Sequence, residues 1–251
     1  MTTASVVLVA HTQFVDPAAF SADWKPDPDA SDGENLIEAG GRACYASWTR
    51  PNPATATNAG YIRHILEVGH FSVLEHASAT FWLTGVSRSL THELVRSRLL
   101  SYSQESQRFV ASGGGMVTPP LFDGDPVAEG ILESAALAAT TLYERLAGRA
   151  EEILSTRELS PTDRRKQARQ AARAVLPNMT ETKIVVTGNF RAFRHFIDLR
   201  ATAGADVEIR AVAVAMLREL QRVAPNVFAD YAITRLDDGT EVAASPYAER
   251  S

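Results

Sequence analysis

Two hydrophobic periods alternate along the chain, and this alternation limits the folds that it can adopt. Short apolar runs with β propensity predict strands at residues 6–12, 77–84 and 183–187. Other segments repeat apolar residues at a spacing near 3.6, which predicts helices at residues 34–45, 58–69, 87–95, 127–154, 161–175, 189–201 and 207–223. The chain is therefore expected to combine strands and helices.

Individual residues refine this outline. In the helix at residues 87–95 we expect Leu90, Leu94 and Val95 to point inward. The long helix at residues 127–154 carries a regular apolar series, namely Ile131, Ala135, Ala138, Leu142, Leu146 and Ile153. Two strands are expected near residues 228–242, around a turn at Asp237-Asp238-Gly239. The polar residues 96–108 and the Gly- and Pro-rich residues 112–120 are the expected functional loops.

Composition excludes several classes of protein. With 251 residues, 45% of them hydrophobic, the chain can bury a real core, and we expect one domain over residues 1–251. The net charge of -5 does not favour nucleic acid or an anionic membrane. No apolar run approaches the roughly 18 residues of a membrane span, and no secretory signal is recognisable. A single cysteine excludes an internal disulfide, so a cytoplasmic location is expected.

One basic cluster lies in the polar segment. Arg96, Arg98 and Arg108 alternate with serine and glutamine residues. Guanidinium groups bind phosphate oxygens bidentately, and hydroxyl groups add hydrogen bonds. The cluster is therefore either a phosphate site or a solvated surface.

A second cluster occupies the helix at residues 161–175. Its basic side chains are Arg164, Arg165, Lys166, Arg169 and Arg173. A solvated helix face is the simpler interpretation, and a nucleic-acid interface is the alternative that the net charge disfavours. Arg173 differs from the others because it lies in the last turn of the helix. We therefore expect it in the wall of a cleft.

The helix at residues 189–201 has an aromatic stripe with a polar group at each end. Asn189, Phe193, Phe196 and Arg200 share this stripe. It is either core with Arg200 at the edge, or a surface that offers an amide and a guanidinium to a flat heterocycle.

Other potential sites are rejected. The spacing of His70, Glu75 and His76 matches no zinc motif, and we predict no metal site. Cys44 is interpreted as a buried small hydrophobe and not as a nucleophile. The Gly-rich motifs of the Rossmann and P-loop nucleotide sites are absent.

The segment Arg96-Ser97-Arg98, seven residues, then Ser106 resembles the R-H-R-x7-S signature of the flavin-dependent thymidylate synthases. The resemblance extends through other blocks, especially those of the actinobacterial branch, at residues 41–48, 58–78, 91–98, 101–109, 167–178 and 187–201. It implies an α/β (α+β) fold with a mixed or antiparallel central sheet flanked by helices. It also implies a homotetramer with active sites shared between subunits.

The resemblance further implies reductive methylation of dUMP to dTMP. Methylenetetrahydrofolate would donate the carbon, FAD would carry the hydride, and NADPH would be the reductant. No cysteine attacks the pyrimidine in this family, in agreement with the interpretation of Cys44.

Site residues follow from the resemblance position by position. The dUMP-binding residues would be Glu93, Arg96, Gln104, Glu105, Ser106, Gln107, Arg108, Arg173 and Arg200. The FAD-binding residues would be Ser72, Arg96, Ser97, Arg98, Gln104, Asn189, Arg191 and His195, with His70 near the flavin and folate region. Arg200 would be the catalytic residue, because a guanidinium beside the uracil stabilises ionisation at N3. Ser106 is expected to bind substrate, since no base partner for it is apparent.

One position departs from the signature, since Ser97 stands where the family has histidine. Serine cannot reproduce a stacking contact or a long-reach hydrogen bond to the flavin. Weaker FAD binding is therefore expected. An alternative function is a dUMP- and flavin-binding protein of the same fold with weak or lost catalysis, and a nucleic-acid-binding module is a further one.

Overall fold

The computed structural model describes residues 4–49, 52–111 and 115–248. The strands are β1 (Ser5–His11), β2 (Ser78–Ser87), β3 (Ser101–Gln104), β4 (Glu181–Asn189), β5 (Ala232–Arg235) and β6 (Glu241–Ala244). The helices are α1 (Asp32–Ala43), α2 (Asn58–Glu67), α3 (Arg88–Leu94), α4 (Pro126–Leu154), α5 (Pro161–Ala172), α6 (Phe190–Arg200), α7 (Val207–Val223) and α8 (Pro225–Phe228). A 3-10 helix, Phe71–His76, precedes β2.

Polar caps explain where several helices begin. The Ser160 side chain accepts from the Asp163 N–H at the start of α5, and the Asn189 side chain accepts from the Ala192 N–H at the start of α6. A capping box of Ser31 and Glu34 begins α1 at Asp32, two residues before the predicted start. The Ser-x-x-Glu pattern is readable in the sequence, so this boundary was available from it.

Four strands form a sheet in the order β1-β2-β4-β3. Thr80 faces Thr187 through a 3.0 Å hydroxyl contact, and the Arg88 N–H donates to the Thr180 carbonyl at 2.9 Å. Because residue numbers rise on β2 as they fall on β4, these central strands run antiparallel. The prediction of a mixed or antiparallel sheet flanked by helices is confirmed in its antiparallel form.

Strand β3 corrects one prediction, since residues 96–108 were expected to be irregular throughout. The Glu105 N–H donates to the Lys183 carbonyl at 2.9 Å, just past the end of β3. Gly188 lies against Leu100, and a Cβ atom there would collide with the leucine side chain. This short strand has too few apolar residues to be recognised from its period.

The C-terminal hairpin is as predicted. Strands β5 and β6 pair antiparallel, with Ala232 opposite Ala244. Gly239 supplies the turn with a φ of +82°. The Ala243 N–H donates to the Ala201 carbonyl at 2.8 Å, which attaches the hairpin to the end of α6.

The chain divides into two compact units. Unit 1 contains residues 4–5, 83–94, 103–111 and 115–184, and unit 2 contains residues 6–49, 52–82, 95–102 and 185–248. The expectation of one domain over residues 1–251 stays a prediction. Part of the predicted loop at residues 112–120, residues 112–114, lies outside the described residues.

In unit 1, α4 packs on α5, and most of the residues buried on the two helices are small. Ala139 and Tyr143 of α4 are buried, as are Ala168 and Ala172 of α5. Small side chains allow the two helix backbones to approach closely.

The predicted long helix at residues 127–154 is confirmed as α4, with Pro126 as its first residue. Its regular apolar series is nevertheless exposed, with Ile131 at 65%, Leu142 at 46% and Ile153 at 52%. The helix therefore buries its alanine-rich face and leaves an apolar stripe uncovered within the chain, consisting of Val127, Ile131, Ala135, Ala138, Leu142, Leu146 and Ile153.

In unit 2, aromatic residues fill the core. The Phe81 and Phe193 rings meet edge to face at 5.3 Å, and Phe190 and Phe228 do so at 5.5 Å. Phe193 and Phe196 are fully buried, which decides for the core interpretation of the α6 stripe.

Buried ion pairs also hold unit 2 together. Arg194 of α6 forms two 2.7 Å hydrogen bonds with the Asp230 carboxylate and stacks on the Tyr231 ring. In α1, Arg42 Nε lies 2.6 Å from Glu38 Oε1, and both side chains are nearly inaccessible. The Arg42 guanidinium also donates to the carbonyl groups of Ser47 and Thr55, so its charge is satisfied.

Two predictions of burial are wrong. Val95 is 43% exposed because α3 ends at Leu94 and the chain leaves the helix before it. Cys44 is exposed because α1 ends at Ala43 and the cysteine occupies the C-cap. None of the helices in the described part of the chain combines the length and apolar character that a membrane crossing requires.

Candidate functional site

In unit 1, the last residue of β3 and the loop after it carry a consecutive set of predicted dUMP residues, Gln104 to Arg108. The Ser106 carbonyl accepts from the Phe109 and Val110 N–H groups, and the Ser106 hydroxyl accepts from the Arg108 N–H at 3.3 Å. The loop thus closes on itself as a turn. The Ser106 oxygen has a backbone role here, which suits a binding loop better than a nucleophile.

The Gln104 side chain is held by two buried threonines. Its Nε2 lies 3.0 Å from Thr91 Oγ1 on α3 and 3.4 Å from Thr182 Oγ1 on β4. Both threonine residues are 2% exposed or less. The side chain is therefore fixed at the root of the loop.

Arg88 lies beside the same loop and was not singled out in the sequence. Its Nη2 donates to the Glu105 carbonyl at 2.8 Å. Burial lowers the pKa of the Arg88 guanidinium, Glu105 opposes this shift, and the positive charge of Arg173 adds to it. Arg88 and Arg173 therefore form a pair of like charges, and an anion bound near them would relieve their repulsion. Arg173 itself is exposed. Its place in a cleft wall stays a prediction.

Arg108 lies on the wall of a cavity of about 600 Å³ next to α4 and α5. Lys166 and Gln170 also line this cavity, with Ile153 on its apolar side. Arg108 Nε is buried and has no hydrogen-bond partner among the described residues. The guanidinium thus retains an unused donor, as expected of a group that binds an anion.

Glu93 lies on α3 and is half-buried, in the same unit as Gln104. Unit 1 therefore brings together Gln104, Glu105 and the Arg88–Arg173 pair around one loop.

In unit 2, the signature segment forms a turn before β3. Arg96 and Arg98 are exposed, whereas Ser97 is 8% exposed. The Tyr102 hydroxyl donates to the Ser97 carbonyl at 2.8 Å. This bond fixes the turn that presents the two arginines.

Arg200 lies at the C-terminal end of α6, half-buried and close to Tyr102. Burial raises the pKa of Tyr102 to about 12, while the hydrogen bond to Ser97 and the charge of Arg200 act in the opposite direction. Tyr102 therefore links the signature turn to Arg200. Sequence reasoning missed Tyr102, since a lone tyrosine among serines carries no recognisable signal.

The other predicted FAD residues of unit 2 gather around the start of α6. Arg191 forms an ion pair with Glu75 of the Phe71–His76 helix, which also carries the exposed Ser72. His195 lies one turn after Arg191 and is half-buried.

Asn189 uses its side-chain oxygen as the helix cap, so its amide N–H groups are the part that remains for a ligand. His70, which precedes the short helix, is exposed.

This donor set fits a dinucleotide in its chemistry. Ser72 supplies a hydroxyl, Arg191 a guanidinium and His195 an imidazole, beside the positive end of a helix. These are groups that bind pyrophosphate and ribose oxygens. Within residues 4–49, 52–111 and 115–248, no three His, Cys, Asp or Glu side chains are grouped so that they would hold a metal ion.

Comparison with known proteins identifies the family. The model of the family described as Thymidylate synthase complementing protein matches residues 29–226. The flavin-dependent thymidylate synthase of Mycobacterium avium (strain 104) is 57% identical over 244 residues, which are 97% of this chain and 96% of that protein. The chain belongs to the flavin-dependent thymidylate synthase family. The resemblance seen in the sequence is thereby confirmed.

Other members of the family agree with this assignment. The enzymes of Mycolicibacterium gilvum (strain PYR-GCK) and Mycobacterium tuberculosis (strain ATCC 25177 / H37Ra) are each 56% identical, over 97% of this chain and 96% of each relative. The predicted actinobacterial branch is therefore confirmed.

A solved structure shows the same fold. The UMP/dUMP methylase PolB from Streptomyces cacaoi, bound with 5-Br dUMP, superposes with a TM-score of 0.67 at 22% sequence identity. The alignment covers 91% of this chain and 94% of that chain. At this identity the likeness concerns the fold.

Proposed function

We propose that this chain catalyses the reductive methylation of dUMP to dTMP. The observation that carries the proposal is membership of the family over nearly the whole chain, together with the site residues that match it. Methylenetetrahydrofolate is proposed as the carbon donor, FAD as the hydride carrier and NADPH as the reductant. FAD, when bound, supplies a hydride that the side chains of this protein cannot supply.

The dUMP phosphate is assigned to arginine side chains. Arg108 has an unused donor and Arg173 is exposed beside another arginine, so both suit a dianion. Arg96 of the signature turn is assigned to dUMP on the family resemblance. Glu93, Gln104, Glu105, Ser106 and Gln107 complete the proposed dUMP set.

Arg200 is proposed as the catalytic residue. Its guanidinium would lie beside the uracil ring and stabilise ionisation at N3, which raises electron density at C5 for attack on the carbon donor. A half-buried position strengthens this effect, because water screens the charge less there. No nucleophilic cysteine is needed, and the exposed Cys44 is given no role.

FAD is assigned to the donors around α6 and the signature turn. They are Ser72, Arg96, Ser97, Arg98, Gln104, Asn189, Arg191 and His195, with His70 close to the flavin and folate region. Arg191 and His195 would bind and orient the flavin nucleotide.

A homotetramer with sites shared between copies is part of the proposal. The exposed apolar stripe of α4 supports self-association, because its Val, Ile and Leu side chains would be covered by another copy. Each copy would contribute segments to more than one site.

Binding without catalysis is the competing function, because Ser97 replaces the signature histidine. The nucleic-acid function has less support. Lys166 Nζ lies 4.9 Å from the centre of the Phe109 ring, and the Arg169 guanidinium donates to the Phe109 carbonyl. These contacts reduce the cationic surface of α5 that a nucleic acid would meet.

The test is dTMP formation by the purified protein with dUMP, methylenetetrahydrofolate, NADPH and excess FAD. Excess flavin prevents weak FAD binding from appearing as absent catalysis. We expect product, and we expect Arg200→Ala to abolish it while dUMP-dependent thermal stabilisation persists in part. No product from folded protein that still binds dUMP would support the binding function instead.

A further inference from the structure

The hydroxyl of Thr91 has its only hydrogen committed. Thr91 Oγ1 donates to the Arg88 carbonyl at 3.0 Å within α3. A threonine hydroxyl carries a single hydrogen and can otherwise only accept. Toward Gln104, 3.0 Å away, Thr91 must therefore act as an acceptor.

This constraint decides the orientation of the Gln104 amide. Its NH₂ group has to face Thr91, because two acceptors at 3.0 Å would repel each other. Thr182 Oγ1 lies 3.4 Å from the same nitrogen and takes the second hydrogen through a longer contact. The remaining polar atom of the side chain is Oε1, and no described residue donates to it.

We propose that Thr91 is a positioning residue that makes Gln104 an obligate hydrogen-bond acceptor toward its ligand. Gln104 then binds an N–H or O–H group of the nucleotide, such as an imide N–H or a sugar hydroxyl. It does not bind a phosphate or carbonyl oxygen. The inference rests on the proposed function, in which Gln104 contacts dUMP and FAD.

Without the Thr91 hydroxyl, the amide is free to turn over. In the reversed orientation the amide presents NH₂ where the ligand also has a hydrogen, and in the original orientation the nitrogen loses its closer acceptor. Thr91→Val keeps the shape of the side chain and removes this hydroxyl. Thr91→Ser keeps the hydroxyl and removes only a methyl group.

The experiment measures Kd for dUMP and for FAD by titration, in the wild type and in four single variants. They are Thr91→Val, Thr91→Ser, Thr182→Val and Gln104→Ala. We expect Gln104→Ala and Thr91→Val each to raise the Kd of at least one ligand by about fivefold to tenfold, which is the effect of losing one hydrogen bond. Thr91→Ser should bind both ligands as tightly as the wild type does. Thr182→Val should lose less affinity than Thr91→Val, because the contact of Thr182 with Gln104 is longer.

A double variant separates positioning from a general loss of structure. If Thr91 acts through Gln104, Thr91→Val adds no loss of affinity in the Gln104→Ala background. An equal loss in both backgrounds would overturn the inference, as would unchanged affinities for Thr91→Val when Gln104→Ala weakens binding. Unchanged affinities for Gln104→Ala would instead show that the proposed role of Gln104 is wrong. Should Thr91→Val fail to fold, Thr91→Ala replaces it in the same cycle.

Discussion

Arg191 and Glu75 form an ion pair with 2.7 Å between Nη1 and Oε1, although 116 residues separate them in the chain. The pair joins the Phe71–His76 helix to the first turn of α6. Ser72 on one side and His195 on the other are thereby held on connected elements. A carboxylate beside a proposed pyrophosphate ligand also competes with that ligand for the arginine.

Glu75→Gln removes this competition and should tighten FAD binding. The side chains of Arg191 and Glu75 are 37% and 46% exposed, so the gain should be at most about fivefold. Because exposed charges are screened, the difference should vanish in about 1 M salt. Fluorescence titration of FAD at two salt concentrations measures it. Weaker binding in Glu75→Gln would mean that the carboxylate serves chiefly to orient Arg191.

Ser97→His should also tighten FAD binding, by about twofold to tenfold, because an imidazole adds a ring contact or a hydrogen bond. The bond from Tyr102 goes to the main-chain carbonyl of residue 97, so the substitution leaves it in place. The Kd for FAD tests this expectation, with Ser97→Ala as the matched control. A histidine variant with unchanged affinity would show that the departure from the signature has no bearing on the flavin.

Asp230→Asn should strongly destabilise the fold. Arg194 and Asp230 are only 4% and 9% exposed, so the substitution removes the charge that pairs directly with a buried guanidinium and leaves Asp198 as the other nearby carboxylate. We expect a loss of about 3 to 5 kcal/mol in the free energy of unfolding. Glu152→Gln breaks the exposed pair with Arg149, 68% exposed on each side, and should cost less than about 1 kcal/mol. Urea denaturation compares the two, and similar losses would contradict the role of burial.

Ile131→Glu and Leu142→Glu should dissociate the proposed tetramer. Each places a charge in the exposed stripe of α4, where association would have to bury it. Thr141→Glu, also exposed on α4 but off the stripe, should leave the assembly intact. Analytical ultracentrifugation gives the mass of each variant. A wild-type protein that sediments as a monomer would contradict the proposed tetramer and the proposal that another copy covers the stripe.

Stability should fall in alkaline solution. Burial raises the pKa of Tyr61 from 10.0 to about 12, against a lowering by Arg42. Between these pH values the unfolded phenol loses its proton while the folded one keeps it, so the free energy of unfolding falls as pH rises. The contribution of Tyr61 is constant below pH 10. Tyr61→Phe should show a flatter decline in denaturation curves from pH 9 to pH 12, and an unchanged slope would contradict the shifted pKa.

Much of the fold could be predicted because its determinants are local. The helix at residues 207–223 and the hairpin turn at Gly239 both follow from short patterns that the structure confirms. Strand β3 was missed because tertiary pairing forms it, and its four residues carry no apolar alternation. The exposure of the α4 stripe could not be predicted either. Hydrophobic periodicity identifies the apolar face of a helix, but it does not identify the element that packs against that face.

The candidate site was accessible mainly through its signature. Residue patterns alone singled out Arg108, Arg173 and Arg200. The signature of arginines and a serine at fixed spacing led to the family, which assigned roles to these residues. Thr91 and Tyr102 were not found, because their roles depend on which atom donates to which across separate elements. Hydrogen bonds between separate elements cannot be predicted from the spacing of residues along the chain.

The order in which unit 2 is assembled has a consequence for synthesis of the chain. Its residues come from 6–49 and 52–82, from 95–102 and from 185–248, so its core cannot close until about the last quarter of the chain has left the ribosome. At about 5 to 20 residues per second, the early segments wait several seconds for α6 and α7. During that interval Phe81 of β2 lacks its ring partner Phe193 of α6, and α2 lacks α8, on which it packs. Folding of unit 2 is therefore completed only near the end of synthesis.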